Sequence, residues 1–111
     1  DQVVARFHWA DAARQLDGLP AGGGLNMAHE AVDRHLLHGH GHHTALRWIG
    51  KDGERRELSY ADLARATNQF ANALESLGVV AGERVFVLMG RLPELYVALL
   101  GALKARCVVT P

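Results

Sequence analysis

The sequence has almost no cysteine and no cysteine pair. Its single cysteine is Cys107, so no disulfide forms within these 111 residues, and a reducing compartment is favoured. Val108 and Val109 follow this cysteine and indicate a buried strand, which predicts an inert core thiol rather than a nucleophile. We expect a cytoplasmic protein.

The sequence also lacks net charge and long apolar runs. Lys plus Arg and Asp plus Glu both number 12, beside 7 histidines, so charge gives no support for nucleic-acid or anionic-membrane partners. The apolar run from Leu95 to Leu103 has about half the length needed to span a bilayer. Charged residues interrupt any signal-peptide core in the first twenty positions: Asp1, Arg6, Asp11, Arg14 and Asp17.

Both common phosphate-binding motifs are missing. A P-loop needs a lysine and then Ser or Thr after its last glycine, whereas Gly50 and Lys51 are followed by Asp52. The run Gly22–Gly24 has no lysine behind it, and the dinucleotide fingerprint is absent. We expect no ATP binding by these residues alone.

Histidine is the one residue type that is concentrated. His35, His38, His40, His42 and His43 lie close together, with His29 upstream. Imidazoles suit Zn, Ni or Cu, yet the spacing matches no closed structural site. The pattern favours a solvated loop, and an adventitious metal site is the alternative.

Other chemical groupings also favour structural roles. Asp33 and His35 stand two residues apart on a predicted helix and so point in different directions. Arg91 and Glu94 fit a strand-to-helix turn, where a carboxylate favours the positive helix end. The sequence therefore yields no catalytic, cofactor-binding or metal residue.

The first 43 residues predict a weak prefix and one helix. Residues 9–16 favour a short helix, ended by Asp17 and Gly18, and residues 21–24 a flexible connector. Asn26 is a good N-cap for a helix to about Leu37. We expect one apolar side and an outward ion pair at i,i+4. The apolar side comprises Met27, Ala31 and Leu36, and the pair is Glu30 with Arg34.

The remainder predicts a β-hairpin followed by an αβαβ order. Residues 44–49 and 54–58 read as strands joined by the turn 50–53. Ser59 and Asp62 form a capping-box pattern before a helix that Gly78 ends. The apolar face of that helix comprises Leu63, Phe70, Leu74 and Leu77.

The last third predicts a parallel sheet that needs covering. Residues 84–89 contain an apolar run typical of a strand covered on both faces. Pro93 fits the first turn of the next helix, which is apolar nearly all round and so expects burial on several sides. Residues 107–110 would be the next parallel strand, leaving an open edge that invites self-association.

Five segments, taken in order, carry a family resemblance. They are Leu25–Leu36, Leu58–Leu63, Gly82–Val85, Arg91–Tyr96 and Leu103–Ala105. The first resembles the opening of acetyl-CoA synthetases, and the second resembles the first core motif of the adenylate-forming superfamily. The last resembles the start of that superfamily's second core motif. The stretch from Gly24 to Pro111 is thus similar to the opening of an AMP-forming acyl-CoA synthetase.

The resemblance implies an architecture. Residues 1–25 would be a prefix and linker, and residues 26–111 the first part of a large N-terminal AMP-binding domain, truncated at 111. The fold class is α/β, a hairpin followed by αβαβ as the incomplete start of that domain. The chain departs from the family pattern at Arg106 and Cys107, where small residues are usual.

The resemblance also implies a reaction. The parent enzyme would activate a carboxylate with ATP and Mg²⁺ to an acyl-adenylate and transfer the acyl group to coenzyme A. Acetate is the preferred substrate, and another short-chain acid is the alternative. The family's catalytic elements would lie beyond Pro111, so no functional residue is transferred, and the chain alone is expected to be inactive and to bind no cofactor. Its partner would be the rest of its own polypeptide.

A free-standing module is the competing hypothesis. Such a module would self-associate through the open edge after Cys107 or bind metal through its histidines. A Ser/Thr/Gly-rich loop following Pro111 would favour the ligase, whereas a stop there would favour the module.

Overall fold

The computed structural model describes residues 6–111, and their element order matches the predicted one. A short prefix helix precedes a second helical segment, a β-hairpin, a long helix and a β-α-β unit. In chain order the elements are α1 (Trp9–Arg14), a 3₁₀ turn (Pro20–Gly22), a π-helical turn (His29–Asp33), α2 (Arg34–Leu37), β1 (Thr44–Ile49), β2 (Arg55–Ser59), α3 (Tyr60–Ser76), β3 (Arg84–Phe86), α4 (Pro93–Lys104) and β4 (Val108–Thr110). The class is mixed α/β.

The hairpin forms where the turn chemistry placed it. β1 pairs antiparallel with β2, with Leu46 opposite Leu58 and a register shift between Thr44 and Leu46. The turn closes through a hydrogen bond of 2.7 Å from the Gly50 amide to the Glu54 carbonyl. The predicted strand bounds hold to within one residue.

Helix α3 begins with the predicted capping box. The Asp62 amide donates to the Ser59 hydroxyl at 3.1 Å, and the Ser59 amide donates to the Asp62 carboxylate at 3.2 Å. The side-chain and backbone hydrogen bonds from Ser59 hold the pKa of Asp62 below its usual value. Each satisfied donor would otherwise be an orphan of the first helical turn.

The buried face of α3 differs from the predicted one at its end. Leu63 and Leu74 are buried as expected, but Leu77 is 80% exposed. Leu77 is the C-cap, one residue beyond the end of the helix at Ser76, where the described residues leave it uncovered. Thr67 is also buried on this face. Its polar hydroxyl is satisfied there because it donates to the Leu63 carbonyl at 2.8 Å.

The β-α-β unit is parallel, as predicted. Arg84, Val85 and Phe86 of β3 pair with Val108, Val109 and Thr110 of β4, and α4 supplies the crossover. β3 ends at Phe86, so the predicted strand over residues 84–89 is three residues too long. Phe86 is 74% exposed and Leu88 fully exposed, so the described residues do not supply the predicted covering of both faces.

Helix α4 packs closely on α3 through its small residues. Pro93, Ala98, Gly101 and Ala102 are its buried residues. The buried apolar residues of the interior form two clusters. One contains Val32, Leu63 and Ala64, and the other contains Leu74, Ala102 and Cys107. On the opposite side of α4, Tyr96 is 42% exposed, so the described residues leave part of this apolar helix uncovered.

The second helical segment, residues 27–37, here called the Asn26 helix, buries a different face from the predicted one. Asn26 caps it, its carboxamide oxygen accepting from the Ala28 and His29 amides at 3.0 and 3.2 Å. Met27 and Leu36 are exposed, however, whereas Ala28, His29 and Val32 are buried. Packing on α3 decides the face, because Val32 joins Leu63 and Ala64 in one buried cluster.

Within residues 6–111 no helix combines the length and the apolar character that a membrane crossing requires.

The approach of α4 to α3 yields a stability prediction. A Cβ added at Gly101 would lie 2.9 Å from Phe70 Cβ and 2.9 Å from the Thr67 carbonyl oxygen. We expect Gly101→Ala to lower the free energy of unfolding by about 1–2 kcal/mol, despite alanine's better helix propensity, because the helices must move apart.

Chemical denaturation measures that change in the free energy of unfolding. Gly90→Ala is the matched control, because nothing lies within 4 Å of a Cβ built there. A Gly101→Ala variant as stable as the parent chain would contradict close helix contact at this position.

Candidate functional site

The carboxyl edge of the β3–β4 pair is the candidate site that the topology creates. In open parallel sheets ligands bind outside the carboxyl ends of the strands. Here β3 ends at Phe86 and leads into the segment 87–92, and β4 ends beside it at Thr110. The Val87 amide donates to the Thr110 carbonyl at 2.9 Å, so the segment 87–92, here called the edge loop, starts in register with the ladder.

Two side chains of the hairpin contact the edge loop and the first turn of α4. Trp48 of β1 donates its indole N–H to the Arg91 carbonyl at 2.6 Å. Arg56 of β2 pairs with Glu94 at 2.7 Å, at the start of α4. The Arg56 guanidinium holds the pKa of Glu94 below its usual range, and Glu94 raises the pKa of Arg56. The strand-to-helix role predicted for Arg91 and Glu94 agrees with this geometry.

Lys104 lies at the carboxyl end of α4, opposite the end that Arg56 contacts, and joins three helices. Its ammonium donates to the Asp33 carboxylate at 2.6 Å and to the Asn68 carboxamide oxygen at 2.8 Å. The Lys104 side chain is 10% exposed and Asp33 is 30% exposed, while Asn68 lies at the surface, so the two acceptors replace much of the water around a partly buried ammonium. We call Lys104, Asp33 and Asn68 the lysine junction.

Asn26 adds a second tie beside the lysine junction. While its carboxamide oxygen caps the Asn26 helix, its amide nitrogen donates to the Leu103 carbonyl at 2.9 Å, across 77 positions of sequence. One side chain thus satisfies the amino end of one helix and the carboxyl end of another. The sequence predicted the cap but gave no sign of this second bond.

One of the clustered histidines packs on Tyr60, and the histidines also pack on one another. The His35 ring lies 4.4 Å from the Tyr60 ring, and His40 and His43 stack at 5.1 Å between ring centroids. Desolvation lowers the pKa of His35, with Arg34 and neighbouring histidines acting in the same direction. No three His, Cys, Asp or Glu side chains in residues 6–111 are arranged to hold a metal ion. His29 is buried apart from this cluster.

The remaining chemical candidates lie apart from one another. Cys107 is buried among apolar side chains, in the cluster with Leu74 and Ala102, which agrees with the predicted core thiol. Asp33 points to Lys104 whereas His35 packs on Tyr60, so they form no acid–base pair. Gly50 and Lys51 belong to the hairpin turn.

The structure reveals supporting residues that the sequence did not. Lys104, Trp48 and Arg56 all act through partners that are 36 to 71 positions away. In the sequence Lys104 stands out only as part of the family segment Leu103–Ala105, and Arg56 lies within the second predicted strand. No local pattern encodes such contacts, because each depends on how separate elements meet.

The sequence profile of the AMP-binding enzyme family matches residues 33–111. The acetyl-coenzyme A synthetase of Deinococcus radiodurans is 45% identical over 96% of this chain and 18% of its own length. The 3-hydroxypropionyl-coenzyme A synthetase of Sulfurisphaera tokodaii is 40% identical over 86% of this chain and 16% of its own. The chain therefore spans about a fifth of the length of these relatives.

A solved structure shows the same architecture. The crystal structure of Brucella canis acyl-CoA synthetase superposes with a TM-score of 0.85 and 34% identity. The match covers 100% of this chain and 20% of that one. The arrangement of prefix, hairpin and β-α-β unit is thus that of a known larger enzyme.

The lysine junction generates a stability prediction. In Lys104→Met the apolar stem is kept, but Asp33 and Asn68, which water still reaches, lose their common donor. We expect the free energy of unfolding to fall by about 1 kcal/mol, because water replaces part of the lost bonding. Urea denaturation followed by circular dichroism measures it.

Lys51→Met is the control for removal of a lysine charge, because Lys51 is exposed in the hairpin turn. It should change the free energy of unfolding by less than about 0.5 kcal/mol. Equal effects of the two substitutions would show that the junction does not stabilise the fold.

Proposed function

The chain belongs to the family of AMP-binding enzymes, and from that premise we propose that it is the first part of an adenylate-forming acyl-CoA synthetase. The observation that carries the proposal is the 45% identity to an acetyl-coenzyme A synthetase over 96% of this chain. The whole-chain superposition on an acyl-CoA synthetase supports it independently.

The proposed enzyme joins a carboxylic acid to coenzyme A in two steps. The carboxylate attacks ATP, giving an acyl-adenylate and pyrophosphate. The thiol of coenzyme A then attacks the acyl carbon and releases AMP. Mg²⁺ neutralises the polyphosphate charge in such a transfer. We propose acetate as the acid, since the relatives named for acetyl-coenzyme A are numerous, and 3-hydroxypropionate or another short-chain acid as the alternative.

We assign these residues a supporting role in that enzyme. The hairpin fixes the edge loop through Trp48 and Arg56, and the lysine junction fixes α4 from its other side. Helix α4, which connects β3 to β4, is therefore contacted at both of its ends. The proposed domain division, a prefix over residues 1–25 and the start of the AMP-binding domain from residue 26, follows from the same resemblance. We also propose a cytoplasmic location, where ATP and coenzyme A are supplied.

The activity is tested on the full polypeptide that carries these residues. With acetate, ATP, Mg²⁺ and coenzyme A, we expect one AMP and one pyrophosphate for each acetyl-CoA formed, because acyl transfer proceeds through the adenylate. Coupled assays for AMP and pyrophosphate, run beside liquid chromatography of acetyl-CoA, measure the ratio.

Residues 1–111 alone are the control and should give no product. Parallel reactions with propionate and 3-hydroxypropionate rank the acids. Formation of ADP and phosphate in place of AMP and pyrophosphate, or no reaction with any short-chain acid, would overturn the proposal.

A self-associating module is the second candidate, and one observation favours it. Phe86, Leu88, Tyr96 and Val108 are apolar and exposed around the open edges of the β3–β4 pair. Such an edge and patch promote association. Under the ligase proposal the rest of the same polypeptide covers this surface; under the alternative, a second copy does.

We therefore expect residues 1–111 by themselves to associate in sedimentation velocity at micromolar concentration. Leu88→Ser should shift the distribution toward monomer, because it removes a fully exposed apolar side chain beside the edge. Leu37→Ser is the matched control, being an exposed leucine on the Asn26 helix instead. A compact monomer with a cooperative thermal transition would contradict the expectation.

A further inference from the structure

The turn that follows α4 has the geometry of a glycine turn, yet it carries an arginine. The Arg106 amide donates to the Leu103 carbonyl at 3.0 Å, and the Cys107 amide donates to the Ala102 carbonyl at 2.9 Å. These two bonds define the Schellman motif, whose turn residue takes the left-handed conformation that glycine adopts most easily. Arg106 takes it with a φ of 60°. The sequence departs at this same position from the small residues usual in the family.

The strained backbone of Arg106 points to a use for its side chain. Holding a residue other than glycine at positive φ costs free energy, and such residues cluster at binding and functional sites. Arg106 is exposed and shares a groove with Glu75, yet no carboxylate among residues 6–111 lies within ion-pair distance of its guanidinium. The fold therefore keeps a costly arginine whose charge the described residues do not use.

Arg106 also lines an open cavity of about 500 Å³ between residues 19–23, the Asn26 helix and the end of α4. Leu19 and Pro20 form an apolar wall, and His29 and Lys104 contribute polar groups. Small-molecule sites have volumes of about 300–1,000 Å³ and combine apolar walls with a few polar groups. The cavity has the size and the lining of such a site.

His29 is a buried polar group in this cavity without a partner for its ring. The residue is 7% exposed and lines the cavity. Its backbone amide donates to Asn26 at 3.2 Å, but its imidazole makes no hydrogen bond to any group of residues 6–111. Buried polar side chains are rarely left without partners, because their desolvation is then uncompensated. An unused imidazole that lines a cavity indicates a ligand that would hydrogen-bond to it.

The other charges near the cavity are already paired. Lys104 pairs with Asp33. On the same helix as Asp33, the predicted i,i+4 pair of Glu30 with Arg34 forms at 2.8 Å, but Glu30 accepts backbone amides of the prefix instead of facing outward. Arg106 is thus the charge without a partner at the cavity, and its sign favours an anion.

We propose that this cavity binds a small organic anion, whose carboxylate or phosphate end pairs with Arg106 while a neighbouring polar group hydrogen-bonds to His29. A guanidinium binds either oxyanion through two parallel N–H donors. Leu19 and Pro20 contact the apolar part of the ligand. The cavity lies before the first residue of β4, whereas the candidate site at the edge loop lies after its last residue, so this site is separate and does not depend on ligase activity.

Binding is tested on the full polypeptide by NMR of ¹³C-labelled histidine imidazoles. The His29 resonance is identified by its absence in His29→Gln. Butyrate and inorganic phosphate are the two probes, and chloride at equal ionic strength controls for screening. We expect the resonance to shift saturably, with half-saturation at about 1 mM, because one ion pair and few hydrogen bonds hold so small a probe. Saturation by butyrate alone would assign a carboxylate ligand, and saturation by phosphate alone a phosphate ester.

Arg106→Gly separates loss of binding from loss of folding, because glycine favours the positive φ of this turn. We expect this variant to unfold no more easily than the parent chain and its half-saturation concentration to rise about tenfold. Arg55→Gln is the matched control and should bind as the parent does, since it removes an exposed guanidinium from β2. No saturable shift with either probe, an equal response to chloride, or unchanged half-saturation in Arg106→Gly would overturn the proposal.

Discussion

The packing of the helices depends on a single partly desolvated ammonium. Lys104 ends α4, and its bonds to Asp33 and Asn68 draw the Asn26 helix and α3 to that end. The Lys104 side chain is 10% exposed, so its two acceptors replace much of the water that the ammonium loses on folding. Asn26 reinforces the same meeting point through the Leu103 carbonyl. The two apolar clusters then pack on either side of a fixed helix end.

With one end of α4 held by the lysine junction, the hairpin fixes the other end. Trp48 and Arg56 reach the edge loop and the first turn of α4 from neighbouring strands. The carboxyl edge of the parallel pair is thereby held by the hairpin as well as by its own ladder, which spans three residue pairs. The supporting role assigned within an adenylate-forming ligase follows from this arrangement.

Local chemistry predicted some elements well and others poorly. The capping box at Ser59, the turn after Ile49 and the proline at the start of α4 are decided by neighbouring residues, and all appear as expected. The prediction of the buried face of the Asn26 helix was wrong, because that face is decided by the packing of Val32 on Leu63 and Ala64 of α3. The strand predicted to reach residue 89 ends at Phe86 instead, because an apolar run by itself does not specify where a ladder stops. The sequence predicted no site residue at this edge and gave Arg91 and Glu94 only a structural role at a strand-to-helix turn.

The sequence by itself determined the class, the order of elements and the family, because turn residues, caps and apolar periodicity act over a few positions and family motifs are read in order. The tertiary structure alone decided which charges are paired. Glu30 and Arg34 form a local pair in either description, yet only the folded chain brings the Asp17 and Gly18 amides onto that pair. Likewise, the ammonium of Lys104 meets Asp33 across 71 positions. Contacts of this kind depend on where whole elements pack, which no local pattern specifies.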